Sequence, residues 1–170
     1  MAAHHTIIET GIGELTLVAE DGALTGIFYP QHWHRPTEEM FGPYVAPSSD
    51  PLFALMAEQF AEYLAGRRTS FEIPTAAAGD AFQTKVWALL AEIPYGETTT
   101  YGALAEKLGD KSLARIVGQA VGRNPLSVIV PCHRVVGSDG SLTGYAGGLE
   151  RKRLLLEIEE PDEAKAEKLF

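Results

Sequence analysis

The sequence predicts an α+β fold: a small N-terminal antiparallel β-sheet lobe with one helix, then a mostly helical C-terminal lobe with a helix-turn-helix. Three observations predict it. The N-terminal residues alternate apolar and polar side chains between glycine-bearing turns, which is strand patterning. After Asp80 the apolar positions recur at helical spacing, with capping residues ahead of them. Between the two lies "TAAAGD" (75–80), read as the joint between a lobe at 1–76 and a lobe at 77–170.

Taken in order, strands are expected at 5–10 ("HTIIET"), 13–20 ("GELTLVAE") and 24–30 ("LTGIFYP"). Gly11, Gly13 and "EDGA" (20–23) supply the turns of a meander. Residues 31–51 hold four prolines and no sustained period, so they read as a long loop. A helix over 52–66 stops at Gly66, and "TSFEIP" (69–74) reads as a last short strand. In the second lobe, Asp80 and Gln83 have the spacing of a capping box for a helix over 81–93. Thr100 caps a helix over 101–109, "GDK" turns the chain, and a second helix follows over 112–124. That pair, at about 100–124, matches the helix-turn-helix pattern. The apolar run 126–130 is short enough for a buried strand, which Pro131 ends. "GSDGS" is a turn, and "GYAGG" is a loop able to bring backbone amides close to a ligand. A last helix over 148–160 has Leu149, Leu154, Leu155 and Ile158 as its apolar stripe, and the acidic tail 161–170 is expected to be loosely ordered.

The totals bound what such a chain does. Its 170 residues, 45% hydrophobic and 22% charged, suit one globular unit or two small lobes sharing an interface. No apolar run is long enough to span a membrane, and the start lacks the basic-then-apolar order of a secretory signal. One cysteine forms neither an internal disulfide nor a cysteine-rich zinc site, so a reducing, cytoplasmic setting is expected. The net charge of -9 is unevenly placed. Residues 1–97 carry 4 Lys/Arg against 13 Asp/Glu, residues 98–153 carry 8 against 4, and residues 154–170 carry 2 against 6. The basic segment offers a dock for an anionic partner while the rest stays acidic.

That segment holds the only thiol, in "LSVIVPCHRVV" (126–136). A buried cysteine used as an apolar filler needs no histidine and arginine after it, whereas a reacting thiol needs polar company. Neighbours on an extended chain point to opposite sides, so His133 reaches Cys132 only if residues 131–133 turn, or through a water. A third group should orient the base. Glu157 and Glu159 on the last helix are both candidates, and the residues alone do not choose between them. The second helix of the helix-turn-helix has little to read bases with: Ala114, Gly118, Ala120 and Gly122 are small, and its charges are Arg115 and Arg123. One reading is tight packing against the lobe core, with Arg115 on a solvated face. The other is a smooth surface that approaches a groove wall, with Arg115 as a wedge.

"PCHRVV", preceded by "NPLSVIV" and followed by "GYAGGLERK", resembles the active-site signature of the O6-alkylguanine-DNA alkyltransferase family, the methylated-DNA–protein-cysteine methyltransferases of direct DNA repair. The resemblance runs upstream through "ARIVGQAVGRNP", "IPYGETTTYGALA" and "FQTKVWALL", covering about 80–160 strongly and a ribonuclease-like N-terminal lobe by order of elements only. It implies base flipping followed by irreversible transfer of the O6 alkyl group of guanine in duplex DNA to Cys132, once per molecule and with no cofactor. O4-alkylthymine is an open second substrate. It further implies that His133 takes the thiol proton through a water, Glu159 orients His133, Asn124 braces the loop, and Tyr101 helps the leaving guanine gain a proton. Arg115 becomes the finger that fills the gap left by the base. Thr100, Ala114, Gly118, Gln119 and Arg123 join it on the DNA face. Val135, Tyr145, Ala146 and Gly147 form the substrate pocket, with Tyr145 covering it and the Ala146 amide meeting O6. The expected partner is double-stranded DNA containing O6-alkylguanine, bound by a monomer with cooperative binding along the DNA left open, and no membrane. Some members carry a zinc site in the N-terminal lobe; this chain has no cysteine there, so none is expected, and His32 and His34 read as solvated loop residues. Leu113 and Ile116 stand where many members have alanine, and Ala146 lacks a hydroxyl that some have.

Overall fold

The computed structural model describes residues 2–32 and 34–161. The expected meander forms. Strands β1 (His4–Thr10), β2 (Gly13–Glu20) and β3 (Ala23–Phe28) lie in the order β1-β2-β3, all antiparallel. Register runs from His4 opposite Ala19 to Thr10 opposite Gly13, which turns Ile8, Leu15 and Leu17 into the core. Among its described residues the long loop that follows contains two single-turn 3₁₀ segments, Glu38–Phe41 and Pro47–Ser49, and one bridge, Tyr44 beside His5 in β1. Helix α1 (Pro51–Leu64) starts one residue before the expected 52–66 and ends at Leu64. Asp50 accepts from Leu52 N at 2.8 Å, and Pro51 needs no amide partner in the first turn. Its Phe53, Met56, Phe60 and Tyr63 recur at helical spacing and are buried.

The expected strand at 69–74 does not form. The Gln59 side chain on α1 takes both backbone groups of Glu72, accepting its N–H at 2.9 Å and donating to its carbonyl at 3.4 Å. Pro74 has no N–H to extend a ladder. Only one bridge remains, where Thr75 lies beside Leu24 in β3, with Leu24 N donating to Pro74 O and Ala76 N to Leu24 O.

Helix α2 (Ala81–Ala91) carries the full capping box: Gln83 N donates to Asp80 Oδ1 at 2.8 Å, and Asp80 N to Gln83 Oε1 at 3.1 Å. Helix α3 (Tyr101–Lys107) is capped by Thr100, whose hydroxyl accepts from Ala103 N at 3.0 Å. The turn passes Gly109 at φ +104°, then a 3₁₀ turn at Lys111–Leu113, into α4 (Ala114–Gly122). The second helix of the pair is therefore shorter at both ends than 112–124. Two short strands unseen in the sequence, β4 (Thr99–Thr100) and β5 (Val135–Val136), pair in parallel and tie the front of α3 to the residues after Cys132.

The run 126–130 is buried or half-buried but is not a strand. Asn124 folds it back on itself: its Oδ1 accepts from Leu126 N at 3.0 Å and its Nδ2 donates to Val130 O at 2.8 Å. Val128 takes φ +74° inside that turn. An apolar run thus reports burial, and here the polar residue before it decides the conformation.

Helix α5 (Leu149–Glu159) buries Lys152, Leu155 and Glu159. Leu149, expected in its apolar stripe, is 49% exposed, because the helix turns two charged residues inward instead. The expected acidic tail lies, beyond Pro161, outside the described residues. One apolar cluster runs from Ile8 through Tyr63 and Trp87 to Leu155, continuous across the joint at 75–80. Among the described residues no helix is long and apolar enough to cross a membrane.

Candidate active site

Pro131 turns the chain into one 3₁₀ turn, Cys132–Arg134, and this turn is the bend that the thiol and imidazole require. Cys132 is free, 4% exposed, and at the floor of a cavity of about 460 Å³. One wall is Ala114, Arg115, Gly118, Val121 and Gly122 of α4, with Tyr101 of α3. The other is the loop Thr143, Gly144, Tyr145 and Ala146. The small side chains of α4 leave the sulfur reachable from outside.

Burial pushes the Cys132 thiol up to about 11; Asn124 and the Lys152 ammonium favour the thiolate without offsetting burial. The thiol is therefore protonated at neutral pH and needs a base. His133, fully buried, places Nε2 2.6 Å from Glu159 Oε2. Burial lowers the pKa of the imidazole, and Arg134 and Lys152 lower it further, against the pull of Glu159. Burial also opposes the Glu159 charge, yet bonds from His133, Arg134 and Tyr63 hold this carboxyl at about 2. The pair is thus a neutral imidazole donating Nε2–H to a carboxylate. Its other nitrogen, Nδ1, is buried and has no partner among the described residues. Glu157, the alternative orienter, pairs instead with Arg153 on the surface at 2.5 Å.

The sequence marks Arg134 only as polar company for the thiol, and Tyr63 and Lys152 not at all. Arg134 grips Glu159 through Nε at 2.7 Å and Nη2 at 3.0 Å, and donates Nη1 to Ile93 O at 2.6 Å. Tyr63 of α1 donates its hydroxyl to the same carboxylate. Lys152 donates Nζ to Val135 O at 2.6 Å, Thr143 O at 2.7 Å and Gly144 O at 3.3 Å, so one ammonium ties the segment after Cys132 to the opposite wall. Burial lowers Lys152 to about 8. Residues such as these read as surface charges until a fold turns them inward.

The remaining expected site residues divide by place. Tyr101, Ala114, Arg115, Gly118, Tyr145 and Ala146 line the cavity. Val135 and Gly147 lie behind it: Val135 O already accepts from Lys152, and Gly147 packs on the Tyr29 ring. The Thr100 hydroxyl serves as the α3 cap. Gln119 and Arg123 sit with Arg115 and His34 around a neighbouring hollow on the outer face of α4. The exposed Ile116 lies on the same helix. His32 is not solvated as expected. It is 7% exposed, accepts from Tyr29 N at 3.3 Å, and burial lowers it to about 4. Among the described residues no three His, Cys, Asp or Glu side chains are grouped to hold a metal ion.

Two family models match the chain: the 6-O-methylguanine DNA methyltransferase DNA binding domain over residues 81–161, and the ribonuclease-like domain of the same family over residues 3–77. The chain belongs to the 6-O-methylguanine DNA methyltransferase family. The methylated-DNA–protein-cysteine methyltransferase of Mycobacterium tuberculosis is 42% identical over 157 residues, 92% of each chain. The inducible protein of that name from Bacillus subtilis is 41% identical over 144 residues, 80% of each. The crystal structure of Mycobacterium tuberculosis OGT in complex with DNA matches with a TM-score of 0.81 at 41% identity, covering 92% of each chain. In this member of the 6-O-methylguanine DNA methyltransferase family, the lone thiol, the α4 wall and Glu159 all lie within the DNA binding domain match, and Tyr63 of the ribonuclease-like match reaches across to brace that carboxylate.

Proposed function

We propose that this protein repairs DNA by direct reversal, moving the alkyl group of O6-alkylguanine in duplex DNA onto Cys132 in one irreversible step. The observation that carries the proposal is Cys132 in the lining of the cavity, followed in the same turn by a neutral His133 that is held by Glu159 and keeps its buried Nδ1 without a partner among the described residues. Glu159 holds the proton on Nε2, so Nδ1 is the basic atom and takes the thiol proton through a bridging water. The resulting thiolate attacks the alkyl carbon. A sulfur–carbon bond forms as the carbon–O6 bond breaks, the electron pair stays with the guanine, and the thiol proton ends on the guanine. Thr143 donates its hydroxyl to Tyr101 at 3.3 Å, which leaves the phenol proton free to support the leaving base. The product is a thioether, which water does not hydrolyse under mild conditions, so each molecule acts once and no cofactor enters the balance.

The lesion reaches the sulfur only outside the base stack, at a cost of a few kcal/mol. Arg115 is exposed at the cavity mouth, on a helix otherwise smooth there, and offsets part of this cost by filling the vacated position. Its partner is duplex DNA, as for the relative solved with DNA, met by the lobe at 77–170 while the lobe at 1–76 backs it. A reducing cytoplasm suits a thiol that has to stay free. The experiment is direct. Incubation with a duplex containing O6-methylguanine should add one methyl group per protein, mapped to Cys132, and leave plain guanine in the DNA. An unmodified sulfur, or repaired lesions in excess of protein, would refute the reading.

A further inference from the structure

The roof of the cavity is held from the other lobe. Tyr145 lines the cavity, and its hydroxyl meets that of Tyr29 at 2.9 Å, with the two rings edge-on at 5.8 Å between centroids. Tyr29 follows β3, is fully buried, and does not itself line the cavity. Burial raises both phenols above their ordinary 10.0, so the bond joins neutral hydroxyls. Gly147 lies against the same ring, and a β-carbon there would overlap it. Arg151 completes the clamp. Its guanidinium carbon sits 4.9 Å from the Tyr29 ring centroid, its Nη1 donates to Gly147 O at 3.0 Å, and its Nε donates to Ile12 O, in the turn between β1 and β2, at 3.0 Å.

Ring packing alone would fill this space. The hydroxyl adds a directional bond to a side chain that walls the acceptor sulfur. We propose that Tyr29 is a positioning residue that sets the size of alkyl group accepted: it fixes Tyr145 and Gly147 so that a methyl group fits beneath them, while a larger group has to displace them. The inference rests on the alkyl-transfer reading above. Displacing the roof breaks the Tyr29–Tyr145 bond, so the cost falls on bulky substrates and not on small ones.

The test is Tyr29→Phe, which keeps the ring on Gly147 and Arg151 and removes only the hydroxyl. Single-turnover rates are measured on one duplex carrying either O6-methylguanine or O6-benzylguanine. The benzyl-to-methyl rate ratio should rise roughly 2- to 10-fold, the range expected from one net hydrogen bond. Tyr145→Phe should raise the ratio by a similar factor, and the double variant no further, because both remove one bond. An unchanged ratio in Tyr29→Phe, or multiplying effects in the double variant, overturns the proposal. Should Tyr29→Phe be too unstable to assay, Arg151→Lys reads the same ratio: a rise supports the clamp, and no change overturns it. Wild-type protein that leaves Cys132 unalkylated defeats the functional reading itself. Alkylation with an unaltered ratio defeats only the role of Tyr29.

Discussion

Glu159 is the residue on which most of the polar centre depends, since it accepts from His133, Arg134 and Tyr63 at once. Replacing it by glutamine leaves the Arg134 guanidinium, 8% exposed, without a counter-charge. Glu159→Gln should lower stability by about 3–5 kcal/mol, read by thermal or denaturant unfolding. It should also slow single-turnover alkyl transfer by up to about a hundredfold, because the imidazole tautomer is no longer dictated. The carboxyl is held at about 2 against an ordinary 4.5, so the folded state binds this proton less readily than the unfolded state. Its stabilising share is present above pH 4.5 and is lost as pH falls towards 2, a component that acid unfolding of the glutamine variant should lack. Cys132 has the opposite sign. Its thiol is raised from 9.0 to about 11, so its share of stability is complete below pH 9 and disappears as pH rises through 11. Alkylation of the folded protein by iodoacetamide should therefore keep accelerating above pH 9, where an ordinary thiol levels off; a plateau at pH 9 would contradict the buried environment. The acceptor was legible in the sequence because a lone thiol stood in polar company. Arg134 was visible as part of that company, but its inward grip on Glu159 was not, nor was the burial of Lys152 and Tyr63, since nothing local distinguishes an inward charge from an outward one.

At the scale of elements, caps and turns were read more reliably than strands. Asp80 with Gln83, and Thr100, act on amides within three residues, so their effect is written locally. Both strands that failed to form, at 69–74 and 126–130, lost their backbone groups to an amide side chain, Gln59 in one case and Asn124 in the other. That competition depends on where a distant helix or the preceding turn sits, and apolar periodicity is blind to it. The same scale decides what α4 does. Val117, Ala120 and Val121 face inward, while Ala114, Arg115 and Gly118 face the cavity, so the small residues serve both packing and access. Arg115→Ala should therefore leave the helix in place and remove only its projecting side chain. Repair of O6-methylguanine in duplex DNA should fall by at least about tenfold, given an unstacking cost of a few kcal/mol per base, while reaction with free O6-benzylguanine should change little. Equal losses on both substrates would assign Arg115 to the chemistry rather than to extrusion.

For the whole molecule, the sequence suggested two lobes, and the structure shows how closely they depend on each other. The apolar cluster crosses the joint without a break. Backbone pairing crosses it too: Ile27 N in β3 donates to Pro125 O, and Ile27 bridges Leu126, just before the turn that leads to Cys132. Tyr63 and Arg151 add polar ties in both directions. A shared core of this kind should unfold as one unit. Ile27 is fully buried, so Ile27→Ala removes apolar volume from the sheet at a cost of about 2–5 kcal/mol. Trp87 reports on the other lobe, where its indole N–H donates to Ala120 O of α4 at 2.8 Å. If the two lobes share one transition, the denaturant midpoint followed by fluorescence in a Trp33→Phe background, which leaves Trp87 as the reporter, should shift by as much as the midpoint followed by far-ultraviolet circular dichroism. A sheet that melts early while Trp87 stays in its native environment would mean that the lobes are separable. The acceptor turn would then draw its order from the helices alone.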